Sequence, residues 1–199
     1  VDYDGTKESI KGIEETIYAS AYQATSVKNP QVAIIGVGGG FDILTALYFD
    51  PGHVTAIEIN KATVDILTNK YADYFKHWVR DQRVSLINDE GRYYLTTTDR
   101  KFDIIQLSGV DSYSGTAGLA HVFSENYLYT EEALKLYLSR LNPDGILCLM
   151  RLEYQNPREM LRALTTAVSV LRRAGISPPA DHIAMLTQTN GLYTAMLVK

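Results

Sequence analysis

The sequence predicts an α/β protein: a seven-stranded, mostly parallel sheet with helices on both faces and an antiparallel hairpin at its C-terminal end. Three observations carry this. The apolar run Val32-Ala33-Ile34-Ile35 breaks into Gly36-Val37-Gly38-Gly39-Gly40 and reopens as a helical pattern at Asp42-Ile43-Leu44-Thr45-Ala46-Leu47. Strand-like and helix-like segments then alternate along the chain, and alternation of this kind builds a parallel sheet covered by helices. Finally, the last two strand-like runs flank Asn190-Gly191, a strong tight-hairpin signal.

The elements follow in order. Residues 1–30 form an N-terminal helical segment, with a helix predicted from about Ser9 to Ala24 by Ile10, Ile13, Ile17 and Tyr18 at amphipathic spacing. Asn29-Pro30 ends this connection, and Val32–Ile35 is a buried strand. The second strand is Val54-Thr55-Ala56-Ile57-Glu58-Ile59, the third Arg83–Asn88 and the fourth Phe102–Leu107. Thr130 caps the next helix, with Glu131 and Glu132 well placed against its dipole. Asn142-Pro143-Asp144-Gly145 reads as a turn into the apolar fifth strand. Asn156 caps a further helix that has Pro157 at its first position, Glu159 at its third and Leu161, Leu164, Val168 and Leu171 on one face. Gly175 and Pro178-Pro179 stop it, and strands from His182 to Gln188 and Leu192 to Val198 close the chain. No internal repeat, linker or low-complexity stretch interrupts the series, so residues 1–199 are read as one domain.

Composition narrows the function classes. At 199 residues and 46% hydrophobic content there is ample material for a core. A net charge of −4 without a basic stripe argues against a nucleic-acid groove, and the 14 tyrosines are scattered as core-edge residues rather than gathered into a base-stacking platform. The single cysteine, Cys148, lies in an apolar strand, which excludes an internal disulfide framework and suits a reducing, cytoplasmic setting. No run approaches the ~20 apolar residues needed to span a membrane, and no signal peptide is visible. The chain opens on Val1, so a fragment of a longer, membrane-associated protein is one reading. His53, His77 and His182 lack partners at metal-ligand spacing, and no metal site is expected.

The glycine turn discriminates among cofactors. The dinucleotide pattern needs a small third residue for close helix–strand packing, but that position holds Phe41 in one frame and Ile43 in the other. There is no G-x-x-x-x-G-K-[ST] either. What remains is G-x-G-x-G, followed about 20 residues on by Glu58 at the end of the second strand. Asp89-Glu90-Gly91 follows the third strand in register. This set resembles the first motifs of class I S-adenosylmethionine-dependent transferases. The resemblance implies the Rossmann-like class I methyltransferase fold, in which Gly36, Gly38, Gly39 and Gly40 face the amino-acid part of the cofactor. It likewise implies that Glu58, with Ile59 beside it, binds the ribose, and that the Asp89-Glu90 turn meets the adenine amino group. Carboxylates suit such positions because they only accept hydrogen bonds.

The wider pattern from Gln31 to Met150 adds Phe102-Asp103-Ile104-Ile105, a Ser/Asp loop, Phe123-Ser124 and Leu141-Asn142-Pro143-Asp144-Gly145-Ile146. Together these resemble the spermidine synthase family, and more narrowly a bacterial branch of spermidine synthase-like domains, some of them fused to membrane segments. The resemblance implies a group transferase using S-adenosylmethionine or decarboxylated S-adenosylmethionine, a small-molecule acceptor such as an amine, and a homodimer. Two acids of that family are replaced. The acid of the glycine turn aligns with Gly39, and the acid that orients and deprotonates the attacking amine aligns with Ser108. Asp42 is the candidate to supply the first charge, and Ser108 joins the cofactor-binding set.

The loop from Ser108 to His121 follows the fourth strand, where open α/β sheets bind ligands, and loops of such length are usually functional. Asp111, matching the second aspartate of the family's loop, is the expected catalytic acid, with Tyr113 and His121 beside it. Tyr127 and Tyr129 are read as core anchors. Because a serine hydroxyl cannot serve as a carboxylate base, two alternatives stand beside aminopropyl transfer. One is methyl transfer from S-adenosylmethionine to a small molecule, and the other is a non-catalytic cofactor-binding or regulatory domain.

Overall fold

A computed structural model of the chain describes residues 2–110, 127–152, 158–189 and 193–199. Its centre is one seven-stranded sheet with strand order β3-β2-β1-β4-β5-β7-β6. The strands are β1 (Gln31–Ile35), β2 (His53–Glu58), β3 (Val84–Asn88), β4 (Phe102–Ser108), β5 (Leu141–Leu152), β6 (Ile183–Thr187) and β7 (Tyr193–Val198). β1 to β5 run parallel; β7 pairs antiparallel with both β5 and β6, which is the predicted terminal hairpin. Its Asn190-Gly191 turn lies outside the described residues.

The central strands are apolar on both sides because both faces are covered. One face, carrying Val32, Ile34, Ile104 and Cys148, packs against the N-terminal segment, the helices α1 (Ser20–Ala24), α2 (Phe41–Tyr48) and α4 (Ala72–Val79), and Leu67 just beyond α3 (Lys61–Asp65). The other face, carrying Ala33, Ile35, Ile105 and Leu147, packs against α5 (Gly91–Thr97), α6 (Glu131–Ser139) and α7 (Arg158–Arg173). Thr130 caps α6 as predicted, its hydroxyl accepting from the Ala133 N–H at 3.2 Å. At the amino edge of the sheet the buried Asp103 carboxylate accepts from the Gln31 N–H at 2.7 Å and the Asn142 side chain at 2.8 Å, tying β1, β4 and β5 together.

Three expectations are corrected. The helix from Ser9 to Ala24 is instead three single 3-10 turns (Glu8–Ile10, Ile13–Glu15, Ile17–Ala19) leading into the short α1. Gly12 adopts φ 95 and Thr16 is extended, so the amphipathic spacing survives while the continuous hydrogen-bond ladder does not. Ile10, Ile13 and Ile17 are nonetheless buried. Next, Asn142–Gly145 is no separate turn but an irregularity within β5: Asp144 takes φ 63 and the register jumps between Phe102 and Ile104. Finally, Tyr127 is half exposed rather than in the core, and the Arg92 guanidinium lies 3.6 Å over its ring; Tyr129 is buried. The Asn156 cap and Pro157 lie outside the described residues.

The start of α2 depends on glycine. Gly40 sits at φ 87, and a Cβ there would stand 2.7 Å from Cζ2 of Trp78, which is only 2% exposed. Gly40→Ala is therefore expected to cost about 1.5 kcal/mol from strain alone. A urea denaturation midpoint unchanged from wild type would contradict this.

Candidate cofactor and acceptor site

The parallel strands β1 to β4 end on one edge of the sheet, and every predicted site residue among the described ones lies there. The glycine turn leaves β1 with the Gly36 N–H donating to the Ile57 carbonyl at 2.9 Å, and the Gly40 N–H closes the turn onto the Val37 carbonyl at 2.8 Å. Gly36, Gly38 and Gly40 all have positive φ. A Cβ added at Gly38 or Gly39 would meet no atom of the described residues within 4 Å, so among these residues the outer side of the turn is bare.

Glu58 organises this edge. It is 7% exposed, and its Oε2 accepts from the Val37 N–H at 3.0 Å and the Gly38 N–H at 3.2 Å. Its Oε1 accepts from the Asn60 N–H at 2.8 Å. The backbone of the same strand end is held from β3. The Asp89 N–H donates to the Glu58 carbonyl at 3.2 Å, and the Asn88 side chain donates to it at 2.8 Å and to the Ile59 carbonyl at 3.3 Å. Ile59, 69% exposed, stands next to this carboxylate as an apolar surface.

These residues suit a nucleoside with hydroxyl groups. Oε2 already takes two donors, whereas Oε1 takes one and keeps an acceptor position open. One ribose hydroxyl can donate there without displacing any protein contact. The bare outer side of Gly38 and Gly39 admits close approach of a ligand, and the first turn of α2 adds unpaired backbone N–H groups.

The other predicted acids do different things. Asp89 is half-buried, with Oδ1 accepting from the Glu90 N–H at 2.8 Å. Glu90 caps α5 with both carboxylate oxygens, accepting from the Arg92 N–H at 2.9 Å and the Tyr93 N–H at 2.8 Å. Asp42 turns inward from the first turn of α2. It is 5% exposed, and its Oδ1 accepts from the Ser108 hydroxyl at 2.7 Å and from the Gln106 side-chain amide. Burial pushes the Asp42 carboxyl up to about 6, against the pull of the Ser108 and Gln106 hydrogen bonds. Tyr18 is in turn raised to about 12, by its own burial first and by the Asp42 charge second. Burial also lifts the Cys148 thiol far above its usual range, so it is an inert core residue.

The structure thus brings together the glycine turn with Glu58, and Asp42 with Ser108. Asp111, Tyr113 and His121 lie outside the described residues. Sequence reasoning missed Gln106, whose only signal is that it is the one amide in the apolar run of β4, and Asn88, whose work is on backbone carbonyls. Among the described residues no group of three His, Cys, Asp or Glu side chains could hold a metal ion, and no helix is long and apolar enough to cross a membrane.

Strand order, the antiparallel seventh strand and the glycine turn at the β1 end define the class I methyltransferase fold. The comparisons with known proteins add the family. The spermine/spermidine synthase domain matches residues 11–190, and the chain belongs to that family. A polyamine aminopropyltransferase of Korarchaeum cryptofilum is 26% identical over 123 residues, 61% of this chain and 36% of that protein. The match thus spans about a third of that relative's length. The crystal structure of spermidine synthase from Thermotoga maritima superposes with a TM-score of 0.59 at 17% identity, covering 93% of this chain and 60% of that one. Human methyltransferase-like protein 13 in complex with SAH gives a TM-score of 0.60 at 16% identity, covering 85% and 72% respectively.

Proposed function

We propose that the chain binds an S-adenosylmethionine-type cofactor at the β1–β3 edge and transfers a group from it to a small nucleophile, with aminopropyl transfer to an amine as the first reading. The observation that carries this is Glu58, whose carboxylate ties the glycine turn to the end of β2 and keeps one acceptor position free among the described residues, while its main-chain carbonyl is held from β3. Family membership and the polyamine aminopropyltransferase relative support the choice of an amine acceptor.

In this reading Gly38 and Gly39 admit the cofactor's amino-acid or aminopropyl end, Glu58 orients the ribose and Ile59 packs beside it. Asp89 and Glu90 border the adenine side, Glu90 by holding the start of α5. When bound, the cofactor supplies an electrophilic carbon attached to a positively charged sulfur. The protein's part is to fix that carbon and the acceptor in line, since proximity and orientation furnish most of the acceleration. Asp111, with Tyr113 and His121, is assigned to the acceptor side, and a pair of such chains is the proposed assembly.

Methyl transfer is the second reading, favoured by the replacement of both aminopropyl-handling acids by Gly39 and Ser108 and by the SAH-bound human neighbour. Mass spectrometry of two incubations separates the readings. Decarboxylated S-adenosylmethionine with putrescine is expected to yield 5′-methylthioadenosine and an aminopropylated amine. S-adenosylhomocysteine from S-adenosylmethionine with an acceptor would move the protein to the methyl-transfer side. Neither product despite cofactor binding would leave only a binding domain.

A further inference from the structure

Asp42 is an expensive residue for its place. A carboxylate 5% exposed needs a strong reason to stay ionisable. The groups that face it are Gln106 and Ser108 on β4, Tyr18 of the N-terminal segment, Tyr22 of α1 and Cys148 on β5. None of these is a cation. Among the described residues the charge is offset only by two hydrogen bonds and by its position in the first turn of α2.

Hydrogen-bond accounting at Ser108 shows where this carboxylate leads. Ser108 is the last residue of β4, half-buried at the ligand-binding edge, while Gln106 behind it is 0% exposed. The Ser108 hydroxyl has one proton, and it is committed to Asp42 Oδ1 at 2.7 Å. One of its two acceptor positions takes the Gln106 amide at 3.2 Å. Among the described residues nothing takes the other acceptor position. The hydroxyl therefore offers the site an acceptor backed by a buried negative charge, which suits an N–H donor and disfavours a carbonyl or phosphate oxygen.

We propose that Ser108 and Asp42 form a two-residue proton relay for an amine acceptor, Ser108 Oγ taking the nitrogen's proton as its own proton passes to Asp42 Oδ1. This rests on the transferase reading above. The acceptor nitrogen's lone pair forms the new N–C bond, the C–S bond breaks and its electron pair stays on sulfur, leaving a neutral thioether. The positively charged product nitrogen gives one proton to Ser108 Oγ while the hydroxyl proton moves to Asp42, which becomes a neutral acid. Solvent then recovers that proton through Ser108 by the reverse path. Ser108 is the catalytic residue and Asp42 the positioning and storing group behind it.

The test uses the whole chain with decarboxylated S-adenosylmethionine and putrescine, comparing wild type with S108A, D42N and D111N. Release of 5′-methylthioadenosine is followed against pH, and cofactor affinity is measured separately by calorimetry. The expected result is a kcat drop of about 100-fold or more in S108A and D42N, the scale of a lost acid–base group, larger than any loss of cofactor affinity. The wild-type profile keeps an acidic limb near pH 6, and D42N loses it. A limb that vanishes in D111N and survives in D42N overturns the relay, as does a wild type that binds cofactor without turning over the amine.

An independent readout needs no ligand. Carboxyl carbon NMR should show Asp42 titrating near pH 6 in wild type and higher in S108A, because that variant removes a hydrogen bond to the charged form. An Asp42 that titrates in the ordinary carboxylate range overturns the dyad itself. If neither cofactor form binds, the transferase reading fails and the relay falls with it, even where the NMR titration finds the dyad intact.

Discussion

Glu58→Ala is expected to lower stability by about 3 kcal/mol, the sum of losing a charged acceptor from three backbone donors and exposing two of them to imperfect replacement by water. Val37 and Gly38 donate to one oxygen and Asn60 to the other. Among the described residues no other side chain accepts from these three N–H groups, so nothing in place takes over. For a chain of this size the loss corresponds to a melting temperature about 6–12 °C lower. Glu58→Gln should fall between, since its amide keeps one acceptor oxygen while its NH2 opposes a backbone N–H on the other side. Scanning calorimetry of the three proteins checks this order, and a Glu58→Ala melting point within a degree of wild type would contradict it. The same substitution removes the free acceptor position assigned to the ribose. Its effect on cofactor affinity must therefore be measured below the lowered transition.

Asp42→Asn is expected to act in the opposite direction on stability. Burial raises the folded-state carboxyl from the ordinary 3.8 to about 6, which at 1.36 kcal/mol per tenfold in proton affinity is worth about 3 kcal/mol. A raised carboxyl binds its proton more tightly in the folded chain than in the unfolded one. The stability it contributes is therefore complete below about pH 4 and is lost as pH rises through about 6. Asparagine stays neutral throughout and still accepts from Ser108 and Gln106, while its own NH2 goes without a matched acceptor. The variant should gain about 2 kcal/mol over wild type at pH 7.5 and close to nothing at pH 4. Urea denaturation at the two pH values reads the difference directly. An equal gap at both would mean that burial does not disfavour the charge. If the relay holds, this variant is more stable and less active, a trade common where a strained group serves function.

The sheet and its edge were legible in the sequence for a simple reason. A buried parallel strand must be apolar on both faces, so Val32–Ile35, Val54–Ile57 and Phe102–Leu107 declare themselves, and the glycines mark where the chain leaves the sheet. Glu58 was legible because strand ends place their last side chain at the ligand edge. The pairing of Asp42 with Ser108 was not. The two are 66 residues apart, and only the β1–β4 crossover brings the first turn of α2 against the end of β4. The N-terminal segment misled because apolar spacing at three and four residues fits 3-10 turns as well as an α-helix, and Gly12 decides between them. Tyr127 misled because an aromatic before a helix cap has two places to go. It lies on the surface under Arg92, where the Arg92 side chain also donates to its carbonyl at 2.6 Å.

The central claim is that the glycine turn and Glu58 hold an S-adenosylmethionine-type cofactor. Calorimetric titration of S-adenosylmethionine and of its decarboxylated form into the same protein sample tests it most directly. Saturable one-to-one binding of at least one form is predicted, and a tenfold preference between them, 1.4 kcal/mol, would assign the transferred group. Heats no larger than dilution for both forms, in a sample that unfolds cooperatively, would contradict the account.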